Sequence, residues 1–109
     1  MEDAQLTRWQ AQLAQVQTEL AQLGPMRPGS LSRQYKDASA RTGGYWQLSY
    51  TQAMRSRTRY VRPEEVARLK PQLANHRRFR RLVDRCVELS IKIADRQTDL
   101  LRNPIPKPR

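Results

Sequence analysis

The chain holds a single cysteine, Cys86, and a single histidine, His76, and that scarcity excludes a good deal. One cysteine forms no intramolecular disulfide, and one His with one Cys cannot complete a zinc set. The two lie ten residues apart in one helical pattern, too far for a nucleophile–base pair. An enzyme is not expected, and neither is a cofactor. No apolar run approaches the length of a membrane span, and the opening MEDAQL is acidic, unlike a secretory or organellar signal. The expectation is a cytoplasmic protein without a membrane partner. Aromatic residues make up only 6% and hydrophobic residues 38% of 109 positions. A chain this short buries about 60–70% of its unfolded surface, so a deep catalytic cleft is not expected and association with another chain would add burial.

Positive charge is nearly missing from the start of the chain and abundant after it. Residues 1–26 carry one basic and three acidic side chains, residues 27–62 eight and one, and residues 63–109 twelve and six. The net charge is +11, and most of the basic residues are Arg, whose planar fork suits phosphates and guanine edges. A polyanionic partner is implied, and nucleic acid fits better than a membrane.

Leu6, Trp9, Leu13, Val16, Leu20 and Leu23 recur at alternating steps of three and four, which predicts a coiled-coil helix over 3–23. Gly24-Pro25 stops it. These six positions are the candidate oligomerisation seam, suited to an antiparallel partner helix or a coiled coil. Residues 24–44, rich in Gly, Pro, Ser and charge, read as a basic loop. Ser30, Ser32, Arg33, Tyr35 and Lys36 offer hydroxyls, charge and an aromatic usable at a phosphate backbone, while a solvated connection is the plainer reading.

Residues 45–61 alternate with period two on both sides of a polar turn, which predicts a β-hairpin. Pairing Tyr50 with Ser56, Leu48 with Thr58 and Trp46 with Tyr60 puts the even-numbered side chains on one face and Arg55, Arg57 and Arg59 on the other. That ladder is either a phosphate-contacting ribbon or a charged edge that resists aggregation. The turn lacks an Asn-Gly signal, so the register is open. Arg62-Pro63-Glu64-Glu65 then starts a helix predicted over 63–102 and kinked at Pro71. Its apolar stripe runs from Phe79 to Leu100. Residues 103–109 read as a disordered polyproline-like tail. On this helix Arg77, Arg78, Arg81 and Arg85 form a cluster with few acids nearby, readable as a solvated face or as further phosphate contacts.

GSLSRQY at 29–35, GGYWQLSY at 43–50, RTRYV at 57–61 and HRRFRRLVDRCVEL at 76–89 together resemble an uncharacterised family of small basic prokaryotic proteins. Its members read G-S-L-x-x-x-Y, a cysteine cluster, H-G-P-Y-x-x-L-x-Y, R-x-R-Y-V and a long helix. The resemblance spans about residues 26–92. It implies an accessory role on mobile DNA, because such genes often sit beside transposases or integrases. Where relatives carry the cysteine cluster, this chain has KDASARTGG, without a metal knuckle.

The combined expectation is a single α+β domain over 1–109 and a non-catalytic nucleic-acid-binding accessory protein. DNA is favoured over RNA through the resemblance alone. It is expected to be a homodimer or part of a larger complex, assisting a recombinase, transposase or nuclease. The competing expectation is a coiled-coil scaffold subunit that makes no direct nucleic-acid contact.

Overall fold

A computed structural model describes residues 3–102; the tail expected over 103–109 lies outside the described residues. Helix α1 (Ala4–Ala21) is followed by strands β1 (Ser30–Asp37), β2 (Thr42–Gln52) and β3 (Arg55–Val61), and helix α2 (Pro63–Arg102) closes the order. The class is α+β, as the sequence predicts. The chain divides into two compact units, one from residues up to Gln22 with Phe79 onward, the other Leu23–Arg78.

In the first unit, α1 begins at Asp3, whose Oδ1 accepts from the Leu6 N–H at 2.9 Å. That carboxylate satisfies one of the donors a helix N-terminus leaves orphaned. Its Oδ2 accepts from Arg96 Nε and Nη2 at 2.9 and 2.5 Å. Further along, Lys92 Nζ lies 5.9 Å over the Trp9 ring and Arg85 Nη2 donates to Gln12 Oε1 at 3.2 Å. Rising numbers in α1 meet falling numbers in α2, so the pair is antiparallel. Val16, Leu89 and Ile93 are buried along it, and Leu89, fully buried, contributes about 2–3 kcal/mol of apolar transfer.

In the second unit, three antiparallel strands in the order β1-β2-β3 lie under the first turns of α2. Leu48, Val61, Leu69 and Leu73 form the buried cluster, flanked by Leu31, Trp46, Tyr50 and Val66. The start of α2 is set locally: the Arg62 N–H donates to Glu65 Oε1 at 3.2 Å and the Glu65 N–H to the Arg62 carbonyl at 2.9 Å, with Pro63 between them. Glu65 thus supplies the acid half of a capping box, three residues into the helix from Arg62. The helix runs through Pro71 as one element. Pro71 deprives the Ala67 carbonyl of its intrahelical donor, and both residues lie on the exposed side while Leu69 and Leu73 are buried.

The expected loop over 24–44 is corrected. Within it only residues 24–29 and the turn at 38–41 lie outside strands; β1 occupies 30–37 and β2 begins at Thr42. The strand escapes local reading because its inner positions are Leu31, Arg33 and Tyr35, too weakly apolar to show the period. Pairing with β2 supplies what composition does not: Leu31 opposes Leu48, Arg33 opposes Trp46 and Tyr35 opposes Gly44. Asp37 closes the turn, its Oδ1 accepting from the Ala40 N–H at 3.1 Å and the Ser39 hydroxyl at 2.9 Å.

Candidate nucleic-acid interface

The hairpin register differs from the expected one by a single residue. Tyr50 opposes Arg57, Leu48 opposes Arg59 and Trp46 opposes Val61. This register closes through a two-residue connection, Ala53 and Met54, with φ of 51° and 65°, the paired left-handed conformation of a tight hairpin. A slip of one residue turns every β3 side chain to the other face. Burial favours the observed register, because Val61 reaches the core at 1% exposure while Tyr60, 60% exposed, keeps its hydroxyl in water.

The arginine ladder therefore shares a face with the aromatics instead of opposing them. Leu31, Arg33 and Tyr35 of β1, Trp46, Leu48 and Tyr50 of β2, and Arg55, Arg57, Arg59 and Val61 of β3 all project to the side that α2 partly covers. Three guanidinium groups are held against rings there: Arg27 lies 4.7 Å from the Tyr50 centroid, Arg33 5.3 Å from Trp46 and Arg41 5.6 Å from Tyr35. Such contacts contribute about 0.5–1 kcal/mol each at exposed sites and restrict long side chains beforehand. Arg33 has room because position 44 is glycine; a Cβ there would stand 2.7 Å from Arg33 Nη2. Among the described residues, no carboxylate forms a salt bridge with Arg27, Arg33, Arg41, Arg55, Arg57 or Arg59.

The strap between α1 and β1 positions Arg27. Asn75 Nδ2 donates to the Pro25 carbonyl at 2.9 Å and the Arg27 N–H to the Gln72 carbonyl at 3.1 Å. Arg27, Arg59 and Arg68 then line a concavity of about 260 Å³ floored by Leu48, Val61 and Leu69. On the other side of α2, Lys70 and Arg77 line a groove with Trp46 and Leu31.

The remaining candidates separate. Ser30, Ser32 and Lys36 project from the opposite face of β1, where Ser32 Oγ accepts from Gln34 Nε2 at 3.1 Å and Lys36 lies over Gly43. Arg78 ends the second unit, while Arg81 and Arg85 belong to the first. Arg85 is committed to Glu88 Oε1 and Gln12 Oε1, both at 3.2 Å, and so serves the helix pair. Together with Lys92 it holds the Glu88 carboxyl below its ordinary value, the Lys92 bond being the larger cause. Leu6, Trp9, Leu13, Leu20 and Leu23 are half-buried and Val16 buried in the single chain. Sequence reasoning missed Arg27, Arg68 and Lys70, which share no motif and meet only through the strap and α2.

Among the described residues, no three His, Cys, Asp or Glu side chains converge as a metal set, and no helix is long and apolar enough to cross a membrane. The chain belongs to a family described as a domain of unknown function, DUF6788, matched over residues 4–71. No curated protein and no solved structure shows significant similarity to it.

Proposed function

We propose that this member of DUF6788 is a non-catalytic nucleic-acid-binding protein that lays the helix-bearing face of its sheet along a phosphate backbone. The observation that carries the reading is the row of exposed guanidinium groups without carboxylate partners, Arg33, Arg55, Arg57 and Arg59, interleaved with aromatic rings on that face. Successive members of the β3 row are about 6.7 Å apart along the strand, a regular track of donors. Fixed guanidiniums bind phosphate oxygens in pairs, and their number sets the salt dependence. The protein acts as an accessory to a recombinase, transposase or nuclease of a mobile element, on DNA and in the cytoplasm. The mobile-element role and the choice of DNA rest on the motif resemblance, and the cytoplasmic placement on the acidic start of the sequence and its lack of a membrane-span-length apolar run.

A second reading, a subunit of a larger assembly, is favoured by Val87 and Ile91, one helical turn apart on α2 and 53% and 55% exposed. In this chain α1's seam already faces α2, so association falls to the Val87–Ile91 stripe. Sedimentation of Val87→Asp/Ile91→Asp should give a lower mass than the parent; an equal mass removes the stripe from consideration.

The nucleic-acid reading is tested by anisotropy with labelled duplex and single-stranded DNA and RNA across salt concentrations. The parent should show a steep negative slope of log affinity against log salt. Arg57→Ala/Arg59→Ala should reduce that slope by about 1.8 on duplex DNA. An undiminished slope in the double variant overturns the proposal.

A further inference from the structure

The concavity under Arg27, Arg59 and Arg68 has a shape and charge that a backbone track does not require. Its three cations come from three elements: the strap, the edge strand β3 and helix α2. Arg27 is fixed twice, by its N–H bond to the Gln72 carbonyl at 3.1 Å and by the Tyr50 ring 4.7 Å from its guanidinium carbon. Glu65 is the one acid on the rim, and its Oε1 is occupied by the Arg62 N–H at 3.2 Å. Three cations against one carboxylate leave a surplus of two positive charges. The floor of Leu48, Val61 and Leu69 offers no polar partner to these guanidiniums, and among the described residues none of the three makes a salt bridge.

From this geometry we infer that the pocket binds a phosphomonoester, the terminal phosphate of a nucleic-acid strand. A phosphomonoester carries about −1.5 to −2 charges at pH 7 and three acceptor oxygens, which matches the surplus and gives each guanidinium an oxygen. An internal phosphodiester carries one charge per phosphate and leaves a cation uncompensated. A terminal group can also enter a concavity of about 260 Å³ end-on, whereas an internal phosphate is flanked by sugars on both sides. The inference deepens the nucleic-acid reading by adding recognition of strand ends to backbone contact.

The test compares the full chain's affinity for one single-stranded DNA bearing a 5′-phosphate, a 3′-phosphate or no terminal phosphate, with a 5′-mononucleotide as competitor. One phosphorylated end should bind about tenfold tighter than the unphosphorylated strand, the scale of a charge-assisted hydrogen bond. Arg68→Gln should bring that ratio close to one, and Arg59→Lys, which keeps charge but loses the fork, should lower it. The preference should fade as pH falls through about 6, where the monoester loses its second charge. Equal affinities for all three strands in the parent overturn the pocket while leaving backbone binding in place. Strong mononucleotide binding without binding of any strand supports the pocket with a free nucleotide as its source and overturns the nucleic-acid reading.

Discussion

Arg59 stands directly across from Leu48 in the β2–β3 ladder, so a cation from the edge strand borders the most deeply buried side chain of the sheet. An apolar residue at 59 would extend the core and suit the strand better. Arg59→Val should therefore raise stability by up to about 1 kcal/mol while cutting the salt slope of DNA binding by about 0.9. Urea denaturation and anisotropy read the two effects separately. A variant that loses stability as well as affinity would give Arg59 a structural role instead.

Arg33 and Trp46 are register partners as well as a stacked pair, at 5.3 Å. A double-mutant cycle with Arg33→Ala and Trp46→Leu should show a coupling of about 0.5–1 kcal/mol in stability. Additive losses would mean that the ring does not hold the guanidinium in solution.

Gly29 has φ of +135°, and a Cβ there would stand 2.8 Å from Leu48 Cδ1 and 2.9 Å from the Ser49 carbonyl oxygen. Gly29→Ala combines a backbone conformation that L-residues avoid with overpacking against the core. It should cost roughly 2–4 kcal/mol, measured as a drop in the urea midpoint. A change below half of that would show that the strap shifts to make room.

Ala53 and Met54 both adopt positive φ without being Gly or Asn, and Met54 is 96% exposed. Ala53→Asn/Met54→Gly should stabilise the hairpin by about 1–2 kcal/mol and leave the register unchanged. Cross-strand contacts between Tyr50 and Arg57 in nuclear Overhauser spectra would check the register directly.

Asp3 is held below its ordinary carboxyl value of 3.8, first by the Leu6 N–H and then by Arg96. With a folded value below the unfolded one, its contribution is fully present above about 3.8 and is lost as pH falls through the lower folded value. Asp37 and Glu88 are shifted the same way and add to the acid sensitivity. Asp3→Asn retains a capping oxygen but drops the charge facing Arg96. The variant should melt below the parent near neutrality, and the two curves should converge in strong acid. A gap that persists at pH 2 would assign the effect to something other than ionisation.

The heptad of α1, the helix start at Pro63-Glu64-Glu65 and the existence of the hairpin were all legible locally. Each depends on spacing or chemistry within a few residues: steps of three and four, a fixed proline φ with acids at a helix N-terminus, period two around a turn. The register was not legible, because Ala53-Met54 carries no turn signature and adopts left-handed φ only when the flanking strands impose it. Strand β1 escaped for a related reason, since Arg33 and Tyr35 form an inner face only against Trp46 and Gly44. The cationic pocket was invisible because Arg27 is remote in sequence from Arg59 and Arg68, and these two lie on different elements, β3 and α2.

By itself the sequence determined the α+β class, the order helix, hairpin, helix, and a positive charge concentrated after residue 26. Those follow from local periodicity and from counting, which no tertiary contact alters. Only the tertiary structure decided which face the arginines occupy. A strand's side-chain sides are fixed relative to each other but not relative to the partner, and one residue of register, chosen by burying Val61 in place of Tyr60, moved the ladder from opposite the aromatics to beside them.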